Sequence, residues 1–209
     1  MRRFSAMIAL ACVLAAAPAA AQEDRASLLT AAGLPAPVAE KIGAAMAKVT
    51  SYRVRVNVTG SSGMDNTLTV LPAQKRSKVV ESSWGIVTEM IFADGRGYRR
   101  VNDGDWHVLD LPPRAPGAPS PAKAFLDMTK ITPLSDRVEN GVTVGAYQME
   151  MRFPAITPTE SVAFTCTYDK TTYLPRACAN NTSTQTFEGW NDPANVIDIP
   201  VVAAAPISH

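Results

Sequence analysis

Histidine is nearly absent: 209 residues contain two, His107 and the C-terminal His209. A histidine-based catalytic triad or a histidine metal cluster therefore has almost no material. A surplus of either charge is missing too, with 20 Lys and Arg against 19 Asp and Glu and a formal charge of +1. No Lys/Arg run offers counter-charge to a phosphate backbone, which argues against a nucleic-acid partner. Nor is there a membrane-length apolar run, since the stretch from Met7 to Leu14 is too short to span a bilayer. What remains is an ordinary globular composition, 46% hydrophobic, 19% charged and 7% aromatic. It excludes a disordered tail, a collagen-like fibre and a polytopic membrane protein.

The amino terminus reads as an export signal. Arg2 and Arg3 form a positive start, Met7 to Leu14 an apolar centre, and Ala19-Ala20-Ala21 before Gln22 the small residues of a cleavage site. The alternative is lipidation at Cys12, but Ala9-Leu10-Ala11 lacks the large aliphatic residue such sites carry three positions before the cysteine. Cleavage after Ala21 removes two arginines and leaves 18 basic and 19 acidic residues in 22–209, one domain's length of chain with a net charge of −1. It also leaves two cysteines, Cys166 and Cys178, in a protein bound for an oxidising compartment, where a disulfide is the default.

From Ala36 to Val49, the residues Val38, Ile42, Ala45, Met46 and Val49 recur at helical steps, with Pro35 or Pro37 at the start. The period then drops to two. Tyr52, Val54, Val56 and Val58 alternate with Arg53, Arg55 and Asn57, a strand with one dry and one wet face. Further strands are expected around Leu68 and Val70, at 78–82, 86–93, 98–101 and 106–109, punctuated by Gly60 to Gly63, Asp94-Gly95 and Asn102 to Asp105. Prolines 112, 113, 116, 119 and 121 break the rhythm, and a short helix is expected at 122–129. Strands resume at 143–153, 162–168, 176–187 and 195–201. Cys166 and Cys178 flank the turn 169–175 almost symmetrically and can face each other across one hairpin. No helix separates the later strands, so the sheet is antiparallel.

Catalytic patterns are weak. Ser120-Pro121-Ala122-Lys123, Ser135-Asp136-Arg137 and Lys170-Thr171-Thr172 stand in the order of penicillin-binding-protein motifs. The second lacks its Asn, the third its Gly, and the intervals are too short for a helical domain. Glu89 and Glu150 read as solvent-facing carboxylates, and Asn102 to Asp105 as a turn with too few oxygens for calcium. The more informative signal is apolar: Met90, Met149 and Met151 share strand faces with Phe92, Tyr147 and Phe153. Methionine suits a cavity that adapts to acyl chains, and it suits a plain core equally.

The ordered set of local features resembles the bacterial lipoprotein-carrier superfamily, the LolA/LolB-like fold that includes LppX/LprG-type lipid-binding proteins and the sensing domain of RseB-type regulators. The helix 36–49 running into Thr50-Ser51-Tyr52-Arg53-Val54-Arg55-Val56 is similar to that family's opening. Ile91 to Arg100 followed by Gly104-Asp105-Trp106 resembles its tyrosine and Gly-x-Trp hairpin. Tyr168 to Arg176 resembles its Leu-Pro turn, and Trp190 to Pro193 with Ile197 to Pro200 its final strand. The resemblance implies an α+β domain over 22–209. Its core would be an antiparallel incomplete β-barrel, or half-barrel, of about nine to eleven strands wrapped around an N-terminal helix and a short central helix.

It further implies a periplasmic, non-catalytic carrier of a lipid or of lipoprotein acyl chains, with no cofactor and no bound metal. Tyr52, Val54, Val56, Leu68, Val70, Met90, Phe92, Tyr147, Met149 and Met151 are the expected lining. Shielding acyl chains there stabilises by roughly 0.8 kcal/mol per buried methylene. The expected partners are the lipid or acylated lipoprotein and envelope donor or acceptor proteins, with no nucleic acid and no transmembrane span in the mature chain. The alternative is an envelope sensor or protein-interaction module using the same concave face.

Overall fold

The computed structural model describes residues 25–58, 64–111, 117, 121–152 and 161–202. The export signal, Cys12, the turn at 60–63, Ser120, Phe153, His209 and most of the proline-rich stretch lie outside the described residues. Two helices open the fold, α1 (Arg25–Ala32) and α2 (Ala36–Ala47). The three- and four-residue spacing of α2 buries Ala39, Ile42 and Met46 on one side. It stops two residues earlier than the periodicity suggests, although Val49 is still buried. The sequence gives little warning of α1, whose eight residues bury only Leu29 and Ala32.

Eleven strands follow: β1 (Tyr52–Val58), β2 (Met64–Leu71), β3 (Arg76–Ser83), β4 (Ile86–Ala93), β5 (Arg96–Val101), β6 (His107–Leu109), then, after helix α3 (Pro121–Met128), β7 (Thr129–Glu139), β8 (Val142–Arg152), β9 (Ser161–Asp169), β10 (Pro175–Ala179) and β11 (Ser183–Glu188). They form one sheet in the order β6-β5-β4-β3-β2-β1-β11-β10-β9-β8-β7, every neighbouring pair antiparallel. β6 and β7 are not paired with each other, so the barrel is incomplete, as the resemblance implies. Three hairpins turn on two residues with positive φ, Trp84-Gly85, Asp94-Gly95 and Asn140-Gly141, the conformation that matches strand twist.

Three expectations need correction. The stretch after α3 is the eleven-residue strand β7, which the alternation does not reveal because most of it is exposed on both faces. Pro133 within it is tolerated because β7 is a sheet edge. The stretch 176–187 is two strands, β10 and β11, separated by a turn in which Asn180 Oδ1 accepts from the Thr182 and Ser183 backbone N–H groups. The segment 195–201 makes no strand ladder. It crosses the outside of the sheet instead, burying Ile197 against Leu71, Ile91, Ala93 and Tyr98 with Ile199 and Val202 alongside.

The main core lies between the helices and one face of the sheet, here called the inner face. It joins Leu29, Ile42, Met46 and Phe125 to Val54, Leu68, Met149, Met151, Phe164 and Phe187. Cys166 and Cys178 are directly opposed on β9 and β10, bonded, with Cα atoms 4.0 Å apart. On β8 the ring of Tyr168 lies where a Gly145 side chain would stand, 2.0 Å from an ideal Cβ, so that position is restricted to glycine by the ring itself.

Candidate ligand-binding face

Strand register aligns the ten expected lining residues on the inner face. Three successive rungs cross it. The first runs Tyr52–Val70–Ser77–Phe92–Gly97–Leu109. The second runs Phe187–Val54–Leu68–Val79–Met90–Arg99–His107. The third runs Tyr147–Cys166–Cys178–Gln185–Val56–Asn66–Glu81–Thr88–Val101. Met149 and Met151 continue the same face of β8, opposite Phe164 and Val162.

Accessibility divides these residues. Tyr52, Val54, Val56, Leu68, Val70, Tyr147, Met149 and Met151 are buried in the helix-covered core, whereas Met90 and Phe92 are half-buried. On β4 the usual polarity is inverted: outward-pointing Glu89, Ile91 and Ala93 are buried and inward-pointing Thr88, Met90 and Phe92 are only partly so. The cause is coverage. Ile197, Ile199 and Trp106 seal the outer face of this wing of β4 and β5, while the core under α1 and α2 covers the inner face of the sheet from β3 through β1 to β8. A cleft of about 270 Å³ opens at the margin of the same wing, lined by Arg99, Arg100, Val101, Gly104, Asp105, His107 and Leu109.

Electrostatics separate the two faces. On the outer face, Glu89 is buried, unlike the solvent-facing carboxylate expected. Its Oε2 lies 2.5 Å from Lys78 Nζ, and its Oε1 accepts from Arg100 Nε at 2.5 Å. Burial pushes this carboxyl up, but hydrogen bonds from Lys78 and Arg100 outweigh it and hold it below the usual range. Arg100 also stacks over Trp106, 4.9 Å from the ring centroid. On the inner face, burial pushes the Glu81 carboxyl up, with Arg99 opposing the shift. Burial raises the Tyr147 hydroxyl to about 12, with Tyr168 adding to it, so it stays neutral.

The residues that resembled acyl-enzyme motifs have other partners. Lys123 pairs with Asp127 one helical turn on, and Lys170 pairs with Asp136 across β7 and the β9–β10 turn. Asp169 Oδ1 accepts from the Thr171 and Thr172 backbone N–H groups, which fixes that turn. Arg53 and Arg55 face outward, paired with Asp192 at 3.6 Å and Glu188 at 3.4 Å. Among the described residues, no helix is long and apolar enough to cross a membrane.

The buried amide of Gln185 on β11 and the inverted coverage of β4 are absent from the sequence reading. Alternation alone places Gln185 on the face of Phe187, the one signal that it points inward.

No protein-family model matches the sequence, and no curated protein matches it. Solved structures do. The chain is similar to the lipoprotein LppX of Mycobacterium tuberculosis, with 16% identity, 77% of this chain and 97% of that one covered, and a TM-score of 0.50. LprF of Mycobacterium bovis gives 15% identity, coverage of 80% and 95%, and a TM-score of 0.44. MucB in complex with MucA(peri) gives 15%, 72%, 53% and 0.33. The match to LppX, together with the open eleven-stranded antiparallel sheet and its inner-face helices, establishes that this chain shares the fold of that lipoprotein, an incomplete antiparallel barrel.

Proposed function

We propose that this protein is a non-catalytic binder of lipid or lipoprotein acyl chains in the bacterial periplasm, and that the chains enter over the inner face of β3 to β6. The supporting observation is the inverted coverage of β4, where Met90 and Phe92 stay half-buried toward the interior while Ile91 and Ala93 behind them are sealed. Folding has covered the wrong side of this strand for a plain core. An apolar face left partly open inside an incomplete barrel is where an acyl chain gains most from leaving water.

The open cleft, at about 270 Å³, lies just below the usual range for small-molecule sites, roughly 300–1,000 Å³. A full acyl chain therefore needs the helices to yield. Tyr52, Val54, Tyr147, Met149 and Met151 become lining only when α1 and α2 move off them. Met90, Phe92, Leu109 and the rim of the cleft are reached first. The periplasmic assignment rests on the export signal and on the paired cysteines.

The test is native mass spectrometry of the mature protein purified from its own envelope, followed by organic extraction. A stoichiometric acyl-bearing adduct, lost in a folded Met90→Glu variant, is the expected result. A ligand-free mass that persists after incubation with vesicles of envelope lipid would overturn the reading and turn the same face into a protein-recognition surface.

A further inference from the structure

The third inner-face rung is unlike its neighbours. Where the first two rungs carry Val70, Phe92, Val54, Leu68 and Met90, the third carries Thr88, Glu81, Asn66 and Gln185 in line across β4, β3, β2 and β11, interrupted only by Val56. Thr88, Glu81 and Asn66 are half-buried, and Gln185 is wholly so, at 0% exposure. Strands lie roughly 4.8 Å apart, so this polar line runs about 14 Å from Glu81, on the open wing, to the centre of the sheet.

Gln185 is its inner end, and both polar atoms of its amide, Nε2 and Oε1, lack a hydrogen-bond partner. Cross-strand neighbours Val56 and Cys178 offer none, and the Ser183 hydroxyl on the same strand already donates to Asn180 Oδ1 at 3.1 Å. The other buried amide among the described residues is at least half satisfied: Asn195 donates through Nδ2 to Ser51 Oγ at 3.0 Å and to the Gly189 carbonyl at 2.6 Å, and only its Oδ1 lacks a partner. A buried donor and acceptor left unpaired in a native core calls for an explanation.

Resting on the acyl-binding reading above, we propose that this polar rung holds the head group of an amphiphilic ligand, and that Gln185 recognises a neutral group that donates and accepts along one edge, a primary amide ending an acyl chain. The amide of Gln185 matches such a group twice, its N–H donating to the ligand carbonyl and its carbonyl accepting the ligand N–H. An ester matches once. A carboxylate brings a charge between Val56 and the Cys166–Cys178 bridge, with no cation on either neighbouring strand position. The apolar rungs on the same side then take the chain.

Displacement of 1-aminoanthracene from the delipidated mature protein tests this with three probes of equal chain length: hexadecanamide, methyl hexadecanoate and hexadecane. The amide should bind about tenfold tighter than the ester, the return on one matched hydrogen bond. Gln185→Met should abolish that preference, keep the affinity for hexadecane and melt no lower than the wild type. A variant that keeps the amide preference overturns the proposal. So does one that melts lower and loses all three probes alike, which would make Gln185 a structural group solvated internally. If the variant does not fold, the wild-type ranking decides, and an amide bound no tighter than the ester overturns the proposal while leaving the carrier reading intact. Failure of all three probes to displace the dye sinks the carrier reading itself.

Discussion

The two wings of the sheet solve the problem of an unclosed barrel in opposite ways. The wing of β7 to β11 packs its inner face under α1, α2 and α3, and pins β9 to β10 with a disulfide. The wing of β4 and β5 buries its outer face under the segment 195–202 and leaves its inner face half-open. The same alternating apolar pattern thus yields a closed core on one side and an accessible surface on the other. What decides is which covering element reaches which face, and not the strand itself.

Methionines on the two wings give the sharpest way to break this comparison. Met151→Ala, at a wholly buried position, should cost about 2–5 kcal/mol by urea denaturation, whereas Met90→Ala should cost well under half of that. Equal losses would mean that the wings are packed alike. Replacing both Cys166 and Cys178 by Ala should cost about 2–4 kcal/mol, since the bridge closes a loop of only 12 residues' separation. Hydrogen exchange should report that loss in β9 and β10, with β3 to β5 unaffected. Ile197→Ala should cost about 1–3 kcal/mol and expose the outer face of β4 and β5, detected as faster exchange at Ile91 and Tyr98. If exchange instead quickens in β8, the segment 195–202 serves the other wing.

The smallest effect is electrostatic. Glu89→Gln should cost about 1–2 kcal/mol at pH 7, because Lys78 and Arg100 lose their shared carboxylate. The folded carboxyl sits below its unfolded value, so its contribution is complete above the unfolded pKa and fades as the pH drops through the lower folded one. Wild type and variant should therefore converge in midpoint on acidification below about pH 4. A constant gap down to pH 2 would show that packing, not charge, makes the difference.

Much of this fold is legible in the residues. Helical spacing marks α2, strict alternation marks β1, and Asp94-Gly95 marks a hairpin. The near-symmetric placement of Cys166 and Cys178 about their turn anticipates the register that joins them. β7 is hidden for a physical reason: an edge strand exposed on both sides has no dry face to generate a period. Ile197 and Ile199 are spaced as in a strand, but the same spacing serves an extended segment that pairs with side chains instead of a ladder. In β4 both faces are apolar, Met90 and Phe92 on one and Ile91 and Ala93 on the other. Alternation separates them without saying which is sealed. Gln185 looks like any polar strand residue until its neighbours are known.

The free margins of the sheet carry a consequence for life at high concentration. A sheet left unclosed exposes two rows of unpaired backbone groups to any passing strand, its own copies included. Here one margin is three residues long, too short to template an addition. The other is eleven residues long but interrupted by Pro133, kinked by the register shift between Leu134 and Arg137, and studded with Lys130, Asp136, Arg137 and Glu139. Both margins of the open sheet are thus guarded against strand addition, one by its shortness and the other by proline, irregular register and charge.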